Sequence, residues 1–104
     1  MKTRGSTEII GLILQAVERE SLTRSKIMYK AILNFKQVTG YTAFLTEEGL
    51  LTYLEQERKY AITDRGRQFL TLFKETYKLL NTYDDMTANN QQQNLQHQEV
   101  ALHK

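Results

Sequence analysis

Cysteine, proline and tryptophan are all missing from these 104 residues, and glycine occurs only five times. Without cysteine there is no disulfide framework and no thiolate metal site, which suits a reducing compartment. Without proline, a helical chain must take its sharp stops from glycine and from polar caps. Long apolar runs are lacking too. The longest, Ile9 to Leu14, is interrupted by Gly11 and falls far short of the ~20 residues a membrane span requires. Lys2 and Arg4 are not followed by an unbroken apolar core and a small-residue cleavage site, so no secretory signal is expected. These absences lead to the expectation of a soluble cytoplasmic protein with no membrane partner.

Catalytic equipment is equally sparse. The two histidines, His97 and His103, lie in a polar tail away from any ordered carboxylate. The glycines, at positions 5, 11, 40, 49 and 66, are too scattered for a phosphate-cradling loop. Glu47 and Glu48 adjoin the end of a helix pattern with no apolar wall around them, and read as solvated acids rather than an acid/base pair. No metal-ligand spacing is visible. Neither an enzyme, a cofactor nor a small-molecule substrate is expected.

What is present is an uneven charge. The net charge of +2 conceals a split: residues 1–83 carry 13 Lys and Arg against nine acids, whereas residues 84–104 carry Lys104 against Asp84, Asp85 and Glu99. From Ser21 to Thr46 there is no acid at all, while Arg24, Lys26, Lys30 and Lys36 are basic. That sign suits phosphate, although a surplus this modest makes nucleic acid plausible and no more.

The same stretch holds two helix patterns separated by at most Ile32 and Leu33. Thr23 and Asn34 stand as caps before Arg24 and Phe35, and Gln37 follows Asn34 at capping-box spacing. Gly49 closes the second helix. Two helices joined by so tight a turn form a unit whose second helix can enter a major groove. At 100° per residue, Val38, Tyr41, Thr42 and Leu45, with Phe35 near them, form its buried side. Lys36, Gly40, Ala43 and Glu47 lie opposite, flanked by Thr39, Gln37 and Phe44. A mid-helix glycine costs about 1 kcal/mol against alanine. Gly40 reads either as a site of close approach or as a tolerated weak spot.

Before this unit, a loose basic arm over residues 1–5 leads into a helix from Ser6 or Thr7 that ends near Arg19 and Glu20. Its face is Ile9, Ile10, Ile13, Ala16 and Val17, widened by Leu12 and Leu14. After it, residues 51–63 alternate as a hairpin, with Glu57, Arg58 and Lys59 turning the chain. Thr63 caps a last helix in which Phe69, Phe73, Thr76, Leu80 and Tyr83 recur as a seam, widened by Leu70, Leu72 and Tyr77. The first turns of that helix are expected on the domain and the later ones on a second copy. The alternative is that all of it packs on the first helix. From Asp84 the Asn/Gln-rich composition suggests disorder or a frayed helix.

Taken together, EIIGLIL, TRSKIMYKAILNFKQV, FLTEEGLL and KYAITDRGRQFL resemble the small archaeal winged helix-turn-helix DNA-binding proteins over roughly residues 7–80. That family comprises transcriptional regulators and nucleoid-associated proteins, some of which dimerise through a long C-terminal helix. The resemblance implies a mainly α fold with a small β-hairpin wing (α+β) over residues 1–63, a dimerisation helix over 64–83, and a tail over 84–104. It also implies that Lys36, Gln37, Thr39, Gly40 and Ala43 read the groove beside the Asn34 cap. Arg24, Lys26 and Lys30 would contact the backbone, and Arg58 and Lys59 would be wing contacts. The dimer would use Phe69, Phe73, Thr76, Tyr77, Leu80 and Tyr83. This chain departs from the pattern at Thr39 and Gly40, where basic or long polar residues are usual, and at Thr42 and Thr46, where leucine is. The resulting expectation is a homodimeric binder of double-stranded DNA associated with the nucleoid. The alternative is a protein-interaction module using the Phe44, Gly40 and Ala43 face.

Overall fold

The computed structural model describes the backbone of residues 5–102 and the side chains of residues 5–86. Six elements follow in order: α1 (Ser6–Ala16), α2 (Arg24–Ala31), α3 (Phe35–Glu47), β1 (Leu51–Leu54), β2 (Lys59–Ile62) and α4 (Asp64–Leu102). The chain divides into two units, Met1–Phe73 and Lys74–Lys104.

In the first unit the local signals act as their chemistry dictates. The Thr23 hydroxyl accepts from the Lys26 amide at 3.3 Å, opening α2. At α3 the box is reciprocal: Gln37 N–H donates to Asn34 Oδ1 at 2.7 Å, and Asn34 N–H donates to Gln37 Oε1 at 3.0 Å. Thr63 opens α4 by accepting from Gly66 N–H at 3.0 Å, while its own hydroxyl donates to the Gly49 carbonyl at 2.6 Å. Among the described residues no helix is long and apolar enough to cross a membrane.

Helices α2 and α3 end in the same way. Leu50 N–H returns to the Leu45 carbonyl at 2.8 Å and Gly49 N–H to Thr46 at 3.1 Å, with Gly49 at φ +77. At the earlier turn, Leu33 N–H returns to Met28 at 2.9 Å and Ile32 N–H to Tyr29 at 3.3 Å, with φ 55 at Ile32. Both are Schellman closures, which demand a left-handed residue. Glycine meets that demand without strain, whereas a β-branched side chain there crowds its own backbone. Because Ile32 is 75% exposed, its side chain recovers little by burial. Ile32→Asn should therefore raise stability by about 1 kcal/mol and the melting temperature by roughly 5 °C. A scanning calorimetry trace no higher than that of the parent would refute this.

The core draws on Ile9, Ile13, Leu14 and Val17 of α1, Ile27 and Ala31 of α2, Val38 and Leu45 of α3, and Leu51 of β1. Leu22, Leu33, Leu50 and Leu70 close it, and burial of each large member is worth roughly 1.5–3 kcal/mol. Thr42 is buried among them because its hydroxyl donates backward to the Val38 carbonyl at 2.6 Å. Thr46 does the same to Thr42 at 2.7 Å. The strands pair antiparallel with Tyr53 opposite Tyr60 and Leu54 opposite Lys59. The two tyrosine rings meet at 4.9 Å between centroids. Leu22 adds a single bridge to the outer edge of β2, exchanging both hydrogen bonds with Tyr60.

Several expectations need correction. Helix α1 stops at Ala16, before Arg19 and Glu20, because Val17 already leaves helical geometry and its side chain enters the core. Phe35 does not join the buried side of α3 but stands 66% exposed. Lys59 is not at the hairpin tip: it begins β2, half-buried, and the turn is Glu55–Arg58. Of the seam on α4, Phe69 and Phe73 lie half-buried on the domain's own core, and Gly11 is bare so that the Phe73 ring can lie against its backbone.

In the second unit α4 continues to Leu102. The described side chains of Thr76, Tyr77, Leu79, Leu80, Tyr83 and Met86 are exposed. Residues 1–4 of the basic arm, His103 and the side chains of the tail from residue 87 onward, that of His97 included, lie outside what the structure describes.

Candidate nucleic-acid interface

The α2–α3 unit exposes Arg24, Lys26, Lys30 and Lys36. Arg24 is placed by packing as well as by sequence, because its guanidinium carbon lies 5.3 Å from the centre of the Phe35 ring. An exposed cation over an aromatic face is worth about 0.5–1 kcal/mol, enough to bias where a long side chain rests. The first residues of α2 and α3 therefore meet, and the Arg24 charge sits beside the end of α3 from which Lys36 projects. Sequence periodicity missed Phe35. The signal available was its place at the first helical position, where a side chain can turn outward around the end of its helix.

The caps decide what α3 offers. Asn34 and Gln37 spend their carbonyl oxygens on each other's backbone N–H groups, leaving their NH2 groups as donors. With Lys36 added, every one of these polar side chains gives hydrogen bonds. Donors of this kind match phosphate oxygens and the N7 and O6 acceptors of guanine.

Thr39 differs from its neighbours. It is half-buried, and its hydroxyl oxygen is shielded from solvent without a hydrogen-bond partner, so it cannot meet a base edge without a change of rotamer. Gly40 and Ala43 are exposed, and a Cβ built on Gly40 would meet nothing within 4 Å. The fold does not require glycine there.

At the hairpin tip Arg58 is exposed and takes φ 55. Glu55 and Glu57 share the turn, and both are exposed. The tip is thus acidic around one arginine, which weakens it as a phosphate contact relative to α2 and α3. Among the described residues no group of acids and histidines is arranged to hold a metal ion.

Three helices, a two-stranded wing and a tight turn between α2 and α3 define a winged helix-turn-helix domain. A sequence model of the winged helix-turn-helix family matches residues 3–81, and the chain belongs to that family. Two relatives are uncharacterized proteins of Methanocaldococcus jannaschii. One is 30% identical over 77 residues, which make up 74% of this chain but only 36% of that protein. The other is 24% identical over 79 residues, covering 76% of this chain and 79% of that one. Among solved structures, Sso10a-2, a DNA-binding protein from Sulfolobus solfataricus, superposes with a TM-score of 0.73 at 24% identity, covering 83% of this chain and 92% of its own. The MarR family transcriptional regulator SPO1453 from Silicibacter pomeroyi gives 0.61 at 14% identity, covering 74% and 57%. These likenesses establish the fold.

Proposed function

We propose that this protein binds double-stranded DNA as a homodimer, acting as a transcriptional regulator or a nucleoid-associated protein without enzymatic activity. Helix α3 enters the major groove. Lys36, Gln37 and Asn34 meet phosphates or base acceptors, while Arg24, Lys26 and Lys30 hold the flanking backbone and Arg58 adds a wing contact. The observation that carries this reading is the acid-free run from Ser21 to Thr46, whose basic side chains are all exposed on the helix-turn-helix unit. Both structural neighbours support it, one being a DNA-binding protein and the other a transcriptional regulator. With that activity goes a cytoplasmic, nucleoid-bound location.

Fluorescence anisotropy on a mixed-sequence duplex tests it. With ~4 phosphate contacts per subunit, log affinity should fall with log salt at a slope on the order of −7 for the dimer. Binding indifferent to salt would end the assignment. A stoichiometric protein partner captured with no duplex shift would transfer the site to protein recognition.

The dimer reading rests on the exposed Leu80 and Tyr83 of the expected seam, with Leu79 and Met86 beside them. Phe69 and Phe73 contribute mainly to their own domain, so the intermolecular seam begins beyond them. Leu80→Glu should convert a dimer to a monomer in sedimentation equilibrium at tens of micromolar, with little change in the helical circular dichroism of the domain. A parent that is itself monomeric at that concentration excludes the dimer.

A further inference from the structure

Gly40 remains without a structural reason, and its surroundings supply one. On the side of α3 that faces the start of α1 there is an open groove of about 550 Å³. Ile10 and the Tyr41 and Phe44 side chains form its apolar walls, and the bare backbone at Gly40 lies between them. A side chain at position 40 would project into open space, since nothing stands within 4 Å of its Cβ. The volume lies in the range of small-ligand sites.

The rim is polar and carries a single charge, which is positive. Tyr41 O–H donates to the Ser6 hydroxyl at 3.0 Å, which ties α3 to α1 and leaves the Ser6 hydrogen as a donor. Gln37 has its oxygen engaged and its NH2 remaining. Lys36 supplies a positive charge at the edge, and no acid lines the groove. Walls that include the Tyr41 and Phe44 rings, and a rim that carries the Lys36 cation and no acid, are complementary to an aromatic ring bearing one carboxylate.

We propose that this groove binds a small aromatic carboxylate, its ring against the Gly40 backbone between Tyr41 and Phe44 and its carboxylate on Lys36. Because Lys36 and Gly40 also belong to the DNA-reading side of α3, the bound acid and a duplex exclude each other. That exclusion rests on the DNA-binding reading above, whereas the ligand site does not.

The test is an amide-resolved NMR titration of the full chain with 2-naphthoate, and with 2-naphthalenemethanol as its neutral counterpart. Saturable shifts confined to residues 36–44 and the start of α1 are expected. The alcohol should bind about tenfold more weakly, since it lacks the charge-assisted contact. Gly40→Leu, which fills the groove, should abolish saturation, and Phe44→Ala should weaken it. Absence of saturation, equal affinity for acid and alcohol, or unchanged binding to a folded Gly40→Leu chain would each overturn the proposal. The acid-versus-alcohol comparison needs no variant, so it decides even if the leucine form does not fold.

In the second arm, saturating 2-naphthoate should release a labelled duplex. Naphthoate binding without any duplex binding would sink the DNA reading and leave the ligand site standing. Duplex binding without naphthoate saturation would sink the ligand site alone. Simultaneous binding of both would remove the exclusion.

Discussion

Replacing Lys36 by glutamate should weaken duplex binding by a factor of ten or more. A charge-assisted contact is worth about 1.5–3 kcal/mol, and the reversal adds repulsion at the same position. Because each subunit of a dimer loses one contact, the magnitude of the salt slope should also drop by about 2. Lys36 is exposed, so the melting temperature should hardly move, since surface changes of this type stay within about 0.5 kcal/mol. Lys36→Gln, which keeps hydrogen bonding without the charge, should fall between the two. An unchanged titration curve for the glutamate form, measured on a correctly folded protein, would show that α3 is not the helix in the groove.

The second large effect concerns the fold. Gly66→Ala should destabilise the protein by about 3 kcal/mol and lower its melting temperature by roughly 15 °C, the upper end for one added methyl in a tight site. The added carbon would collide with the Leu50 carbonyl and approach Ile62 Cγ1 at 2.8 Å. The carbonyl cannot step aside, because it already accepts from Thr63 N–H at 3.2 Å and belongs to the chain entering β1. Gly40→Ala is the matched control: it adds the same atom to the same kind of backbone in open space, and should raise stability by up to about 1 kcal/mol. If calorimetry ranks the two the other way, Gly66 does not pack against the Leu50 carbonyl at the start of the wing.

These two glycines also show what a single sequence conceals. Both sit in helices: helical spacing places Gly40 on the exposed side of α3, whereas the carbonyl that presses on Gly66 belongs to Leu50, distant along the chain. Features set by near neighbours were legible. The Asn34–Gln37 box and the Thr63 cap depend on side chains three residues from the backbone they satisfy, and the turn at Ile32 and Leu33 and the Gly49 stop close by backbone hydrogen bonds spanning three or five residues. Features set at element ends were not. Phe35 has the angle of a buried residue but lies at the first turn, where Arg24 and solvent compete for it. Lys59 reads as turn because it is charged, yet antiparallel register opposite Leu54 makes it strand. Leu22 lies between two helix patterns with no local signal of its own, and only the folded chain shows that its backbone pairs with Tyr60. On the candidate site, the basic residues and the exposed side of α3 were readable from spacing. The groove beneath Gly40 was not, since Ser6 and Ile10, which close it, come from α1.

The two hydrogen bonds between Leu22 and Tyr60 bear on how such a wing can meet a duplex. They anchor the second strand to the segment between α1 and α2, so the hairpin cannot swing as a free arm. Its reach is then a fixed dimension of the scaffold. If the wing meets a duplex as proposed, adjustment to grooves of different width would come from bending of the nucleic acid and from the long side chain of Arg58.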